Sequence, residues 1–236
     1  MIFKNLLKYW YKLIDKKAYY EFKNIQNIEK SAKIFQTKYE NSINEIQKRI
    51  ENQKTLFFLH SGHIGDIINV LPVIKALSLT HKCNLLLNIN KPLERSHYAH
   101  QAGDVYLNKK IYDMLAPLLK SQKYINNVEI YQNQNIDINF DLLRELPINL
   151  LFDNLRYGFL ISGLQPDINQ AYLEVSPHKT ITNKIAVLRS LRYKNQFVNY
   201  RFLENYEDII FIGTKDEEIE LKKDINNLQF HDCRDF

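Results

Sequence analysis

The sequence predicts an α/β protein built on parallel strands, with a helical arm ahead of it and the start of a second α/β unit behind. Three observations carry this. The helical periodicity that fills residues 1–54 stops at Lys54 and gives way to short apolar runs. The runs at 55–60 (TLFFLH) and 83–89 (CNLLLNI) flank a glycine turn and a helical pattern, the order that makes a right-handed parallel crossover. Two later runs, 185–188 (IAVL) and 208–212 (DIIFI), are followed by a charged helix at 215–223, so the same order begins again.

The arm has no Gly and no Pro, which leaves its helices uninterrupted. At 100° per residue Phe3, Leu6, Leu7, Trp10, Leu13 and Ile14 fall within about 120°, and Lys4, Lys8, Lys12 and Lys16 cover the opposite side. Ile25, Ile28, Ala32, Phe35 and Tyr39 then alternate steps of three and four. Ile43, Ile46 and Ile50 resume the pattern after a shift, as in a helical hairpin or a short coiled coil. Beyond the turn Ser61-Gly62-His63-Ile64-Gly65, the spacing of Ile67, Val70, Leu71, Ile74 and Leu77 is helical. Helices are expected at 110–121 and 140–145, strands at 128–131 and 149–152, and a connector over 163–182, which holds Pro166 and Pro177. The domains so defined are the arm (1–54), a first α/β domain (55–180) and a partial second one (181–236). With two evident strands and a helix, the last would make a poor core by itself.

The chain has 236 residues, 45% hydrophobic and 25% charged, the proportions of an ordinary globular protein. Cys83 and Cys233 lie far apart, with no CxxC and no histidines at metal spacing, so a reducing, cytoplasmic setting is expected without disulfide or zinc. No apolar run approaches the roughly 20 residues that span a bilayer, and charges interrupt the N-terminus where a signal peptide needs an apolar core. The formal charge of +5 belongs to the arm: residues 1–54 hold twelve Lys/Arg against six Asp/Glu, or +6, and the rest nets −1. Without a basic-aromatic stripe, nucleic acid is not an expected partner. The arm itself has two readings. One is packing on the core or on a partner helix; the other is rest at an anionic membrane surface, with Tyr9 and Trp10 at the interface, giving a cytoplasmic protein peripheral to the membrane.

The chemistry is expected at SGHIGD. Gly62 and Gly65 permit a tight exit from the strand and close backbone approach, and the helix start, with His63 beside it, offers N–H groups to a phosphate or carboxylate. Asp66 stands at the mouth of that site, as a helix cap on the plainer reading and as a general base on the sharper one. The turn lacks GxGxxG and GKS/T, so neither a dinucleotide fingerprint nor a P-loop is present. His60 and His63 flank the loop, and His97 with His100 share a helical turn, but no carboxylates or cysteines join them at ligand spacing. No metal or cofactor is expected.

The phrase FFLHSGHIGDIINVLPVIKAL, with Gly65-Asp66 and Leu71-Pro72 in place, resembles the opening of the heptosyltransferase-like glycosyltransferases. LLKSQKYINNVEIY (118–131), DINFDLLRELPINL (137–150), VLRSLRYKN (187–195) and FIGTKDEE (211–218) resemble later stations of the same family, in the same order. The resemblance implies the GT-B architecture, two Rossmann-like domains facing across a cleft, here with the second incomplete. It implies inverting, metal-independent transfer of a sugar from a nucleotide-sugar to a glycan or other hydroxyl acceptor. By residue match Asp66 would be the base. Ser190, Arg192 and Lys194 would hold the donor phosphates, and Gly213-Thr214 would approach the donor by its backbone. The plainer readings are a solvated loop and a strand-to-helix turn. In the family the second domain runs on through a glycine-rich loop, and this chain stops at Phe236 before it. The resemblance therefore implies either a shortened member or one without a donor site, and the alternative function is a non-catalytic glycan- or nucleotide-binding scaffold.

Overall fold

The computed structural model describes residues 2–93, 102–144, 154–165, 167, 169–175, 184–188 and 197–232. They belong to two compact units, Met1–Val175 and Ser176–Phe236.

The first unit opens with α1 (Ile2–Ile14) and α2 (Lys16–Ile34), which part at Asp15. The Asp15 backbone is extended, and its Oδ1 accepts the N–H groups of Lys17 and Ala18 at 2.9 and 3.1 Å, an N-cap that starts α2 afresh. Tyr11 meets Phe22 with ring centroids 5.7 Å apart, closer than a straight helix would bring them, so the chain folds back at Asp15. A π-helical turn, Phe35–Tyr39, joins α2 to α3 (Glu40–Asn52); in it the Glu40 N–H bonds to the Phe35 carbonyl. The extra residue of that turn is the cause of the shift before Ile43. Tyr39, Ile43 and Ile46 are buried, and His81 Nε2 donates to the Ile50 carbonyl at 2.8 Å. The helical segment over 1–54 thus divides: α2 buries no residue, whereas α3 is part of the core.

Strands β1 (Thr55–His60), β2 (Lys82–Leu87), β3 (Asn127–Ile130) and β4 (Ile138–Asn139) form a parallel sheet in the order β3-β2-β1-β4. Leu56 pairs with Cys83, Phe58 with Leu85 and His60 with Leu87, so these side chains share one face. The apolar ones pack against Ile67, Val70, Leu71 and Ile74 of α4 (Ile64–Leu77), the helix between β1 and β2. Burial pushes the Cys83 thiol up to about 12, which leaves it unreactive inside this core. α5 (Lys109–Lys120) leads to β3. The helix expected at 140–145 is a tighter 3-10 turn, Phe140–Arg144, entered where Asn139 Oδ1 accepts the Asp141 N–H at 2.9 Å. The strand expected at 149–152 lies outside the described residues. α6 (Asn154–Ser162) was not expected; it lies on α4 through Gly158, where a Cβ would stand 3.2 Å from Val73 Cγ2.

In the second unit β5 (Ile185–Val187), β6 (Ile209–Gly213) and β7 (Gln229–Asp232) are parallel in that order, and α7 (Lys215–Leu221) follows β6. The third strand corrects the expectation of two. Leu203, Ile209, Phe211, Leu221, Ile225 and Leu228 form its core. The buried Glu218 carboxylate is paired with Lys215 and, at 2.7 Å, Lys222, and their hydrogen bonds hold its pKa below the usual range. The protein is therefore mixed α/β with two parallel sheets.

Candidate functional site

From β1 the chain steps outward to β2 and β3, then returns to add β4 on the other side of β1. Ligands of open parallel sheets bind at such a reversal, beyond the carboxyl ends of the two strands that flank it. Here the flanking segments are Ser61-Gly62-His63, leading into α4, and the turn Phe140–Arg144.

Asp141 joins them. Its Oδ1 accepts the Ser61 N–H and Arg144 Nη1, both at 2.8 Å; its Oδ2 accepts the Ser61 hydroxyl and, at 3.0 Å, Lys91 Nζ. Burial alone would raise the Asp141 pKa, but the Ser61 and Lys91 hydrogen bonds hold it below the usual carboxylate range. Lys91 arrives on an excursion after β2, in which Asn90 takes a left-handed φ of 63° and Pro92 bridges to Val105. The same excursion brings Tyr106 under Arg144, whose guanidinium lies 4.3 Å from the ring centroid. Arg144 Nη2 then reaches Asp66 Oδ2 at 3.3 Å, and that oxygen also accepts the His63 N–H at 3.3 Å.

Asp66 thus fills the plainer of its two expected roles. It caps α4, and with 24% of its side chain exposed against 7% for Asp141, it is the acid of the pair that a ligand can reach. His63 is the residue before the helix. Its Nδ1 lies 2.9 Å from the Tyr106 carbonyl, and its side chain also accepts the Asp66 N–H, the second half of a capping box. His60 points into the core. Burial, the largest influence, lowers its pKa from 6.5 to about 4, against the nearby Asp141 carboxylate, which raises it. Its Nδ1 accepts the Gly62 N–H at 2.8 Å, so the proton of the neutral ring sits on Nε2, for which no described residue is a hydrogen-bond partner.

The two glycines of the turn serve different ends. A Cβ on Gly62 would stand 2.4 Å from both Arg144 Nη2 and His60 Cε1, so glycine is what lets the guanidinium cross to Asp66. Beside Gly65 a Cβ would meet nothing within 4 Å, and its φ is not left-handed, so neither packing nor conformation among the described residues calls for glycine there. The room it leaves lies at the first turn of α4, where backbone N–H groups lack intrahelical acceptors. Lys91, Asp66, His63 and Gly65 thus border a polar rim fit to orient a hydroxyl or an anion, held from beneath by Asp141 and Arg144.

The second corner carries a local cap. Thr214 precedes α7, and both its N–H and its hydroxyl donate to Glu217 Oε2, at 2.9 and 3.0 Å. A Cβ on Gly213 would stand 2.5 Å from the Phe211 ring. Local packing and capping account for both residues. Ser190, Arg192, Lys194, His97 and His100 lie outside the described residues. Among the described ones, no group of three His, Cys, Asp or Glu side chains stands together as a metal-ligand set.

Sequence reasoning missed Ser61, Lys91, Asp141 and Arg144. Asp141 and Arg144 lie in the phrase DINFDLLREL, and the signal there was an Asn139 that turns the chain before an acid and a base three residues apart. No family model, curated protein or solved structure matches the chain.

Proposed function

We propose that the chain is a GT-B glycosyltransferase of the heptosyltransferase-like kind, and that its first sheet receives the hydroxyl acceptor at the β1/β4 reversal. The observation that carries this reading is the reachable Asp66 carboxylate, steered from one side by Arg144 at the carboxyl edge of a parallel sheet. In the proposed reaction the acceptor oxygen attacks the anomeric carbon of a nucleotide-sugar while Asp66 takes the hydroxyl proton. The bond from that carbon to the phosphate oxygen breaks, and the nucleoside diphosphate departs with the electron pair. Lys91, cationic at the same rim, would orient the acceptor.

The test is release of nucleoside diphosphate from a panel of sugar nucleotides, dependent on a hydroxyl acceptor. Asp66→Asn preserves an acceptor for the His63 N–H and should lower the rate by roughly a hundredfold or more. An unchanged rate in the folded variant removes Asp66 from the chemistry.

The Thr214–Glu217 cap, which gives both residues a local structural role, favours a second reading, a module that holds a glycan without transferring sugar to it. Calorimetric titration separates the two. Heat on adding a nucleoside diphosphate or sugar nucleotide supports transfer, and silence with every donor supports the module.

A further inference from the structure

We propose that α1 docks the protein on an anionic lipid surface, lying in the plane of the interface. Leu6, Tyr9, Trp10, Leu13 and Ile14 are each between 56% and 84% exposed. At 100° per residue these five form one continuous arc of about 140°. The next positions around the helix, Leu7 and Tyr11, are half-buried, and Tyr11 packs on Phe22 of α2. Lys8 and Lys12 occupy the remaining side. The helix thus has three faces, one given to α2, one basic, and one apolar face that is left exposed among the described residues.

Charge decides what covers the third face. α1 has no acidic residue, and Lys16 and Lys17 follow at the start of α2. The acid between them, Asp15, has Oδ1 turned to the backbone of α2 as its cap. Pairing this face with the same face of a second copy would bring two all-basic flanks together with no acid to offset them. An anionic bilayer offsets them everywhere and takes up the apolar arc, with Tyr9 and Trp10 at the depth where amphipathic rings settle. No described helix is long and apolar enough to cross a membrane, so in-plane seating is the mode that suits this one.

Trp10 is the sole tryptophan of the chain, so tryptophan emission reports on this face without background. The full chain is titrated with vesicles of phosphatidylcholine alone and with vesicles containing phosphatidylglycerol. The expected result is a blue shift and protection from acrylamide with the anionic vesicles only, reversed by salt. Leu13→Ser/Ile14→Ser changes two exposed side chains and Lys8→Gln/Lys12→Gln one half-buried and one exposed, and each pair should weaken partitioning roughly tenfold or more. Unchanged emission with anionic vesicles overturns the proposal, as does an equal shift with both vesicle types. A concentration-dependent shift without lipid, with dimers in sedimentation that Leu13→Ser/Ile14→Ser abolishes, also overturns it and gives the face to a second copy.

Discussion

Two strand-to-helix corners in this protein share their local parts. β1 ends in Ser61-Gly62-His63 and β6 in Gly213-Thr214, and in each an acid in the first helical turn, Asp66 or Glu217, accepts the N–H of the capping residue. Their surroundings differ. Glu217 also takes the Thr214 hydroxyl, and the space at Gly213 is bounded by Phe211 two residues back, so that corner has a local cap and local packing. Asp66 instead meets Arg144 from 78 residues away, and Ser61 meets Asp141 from 80. A capped glycine turn is a common local solution. What sets the first one apart is the charge brought to it from the turn beyond β4, at a sheet reversal.

The sharpest way to break the comparison is to remove the acid that organises each corner. Asp141→Ala leaves Lys91 and Arg144 without their shared counter-charge and the Ser61 N–H unsatisfied in a buried place, and should cost about 3–5 kcal/mol. Glu217→Ala removes half of a capping box at a half-buried helix start and should cost about 1 kcal/mol. Hydrogen exchange of β1 and β6 amides reads the two losses separately. Comparable losses would mean that the first corner is no more dependent on distant charge than the second.

The next effect is a pH dependence that the first corner owes to His60, at higher pH than the depressed Glu218 carboxylate of α7 acts. His60 has a pKa near 4 in the folded chain and near 6.5 when unfolded, so the unfolded state binds more protons between those values. Stability should fall as pH drops from 6.5 toward 4, by about 2 kcal/mol between pH 7 and pH 5. Below that, protonation of Asp141, whose folded pKa is depressed, removes more. An asparagine in place of His60 keeps an acceptor for the Gly62 N–H and does not titrate, so urea midpoints of His60→Asn should be nearly flat between pH 7 and pH 5, above the range where the depressed Glu218 and Asp141 carboxylates act. A slope that survives in the variant assigns the dependence elsewhere.

The smallest effect separates the two glycines. Gly62→Ala forces Arg144 and His60 apart and should destabilise the fold. Gly65→Ala fills open space in a helical turn and should stabilise it by about 0.5–1 kcal/mol while weakening any ligand that uses that space. A stabilised Gly65→Ala with undiminished ligand affinity would move the ligand away from α4.

What was legible in the sequence follows the range of the interactions. β1, α4 and β2 are continuous apolar patterns, and their limits were readable to within two residues. α6 was not, because Tyr157, Phe159 and Ile161 alternate as in a strand and nearly all sides of the helix are apolar. β4 has two residues, defined by pairing with Phe58 and Leu59, and β7 (QFHD) has little apolar pattern of its own. At the site, Asp66 and the glycines were visible as a turn. Asp141, Arg144 and Lys91 were not, since nothing in their immediate neighbours fixes which strand end they will face.

The π-helical turn at Phe35–Tyr39 sets a rotational phase. Its one surplus residue turns everything before it by about 100° about the helix axis relative to α3, which the core clamps in place. Deleting a single residue there would leave the sheet and its charged corner untouched and point the Trp10 face in another direction. The aim of that face is thus written in the winding of the helix, in a segment remote from both the face and the site.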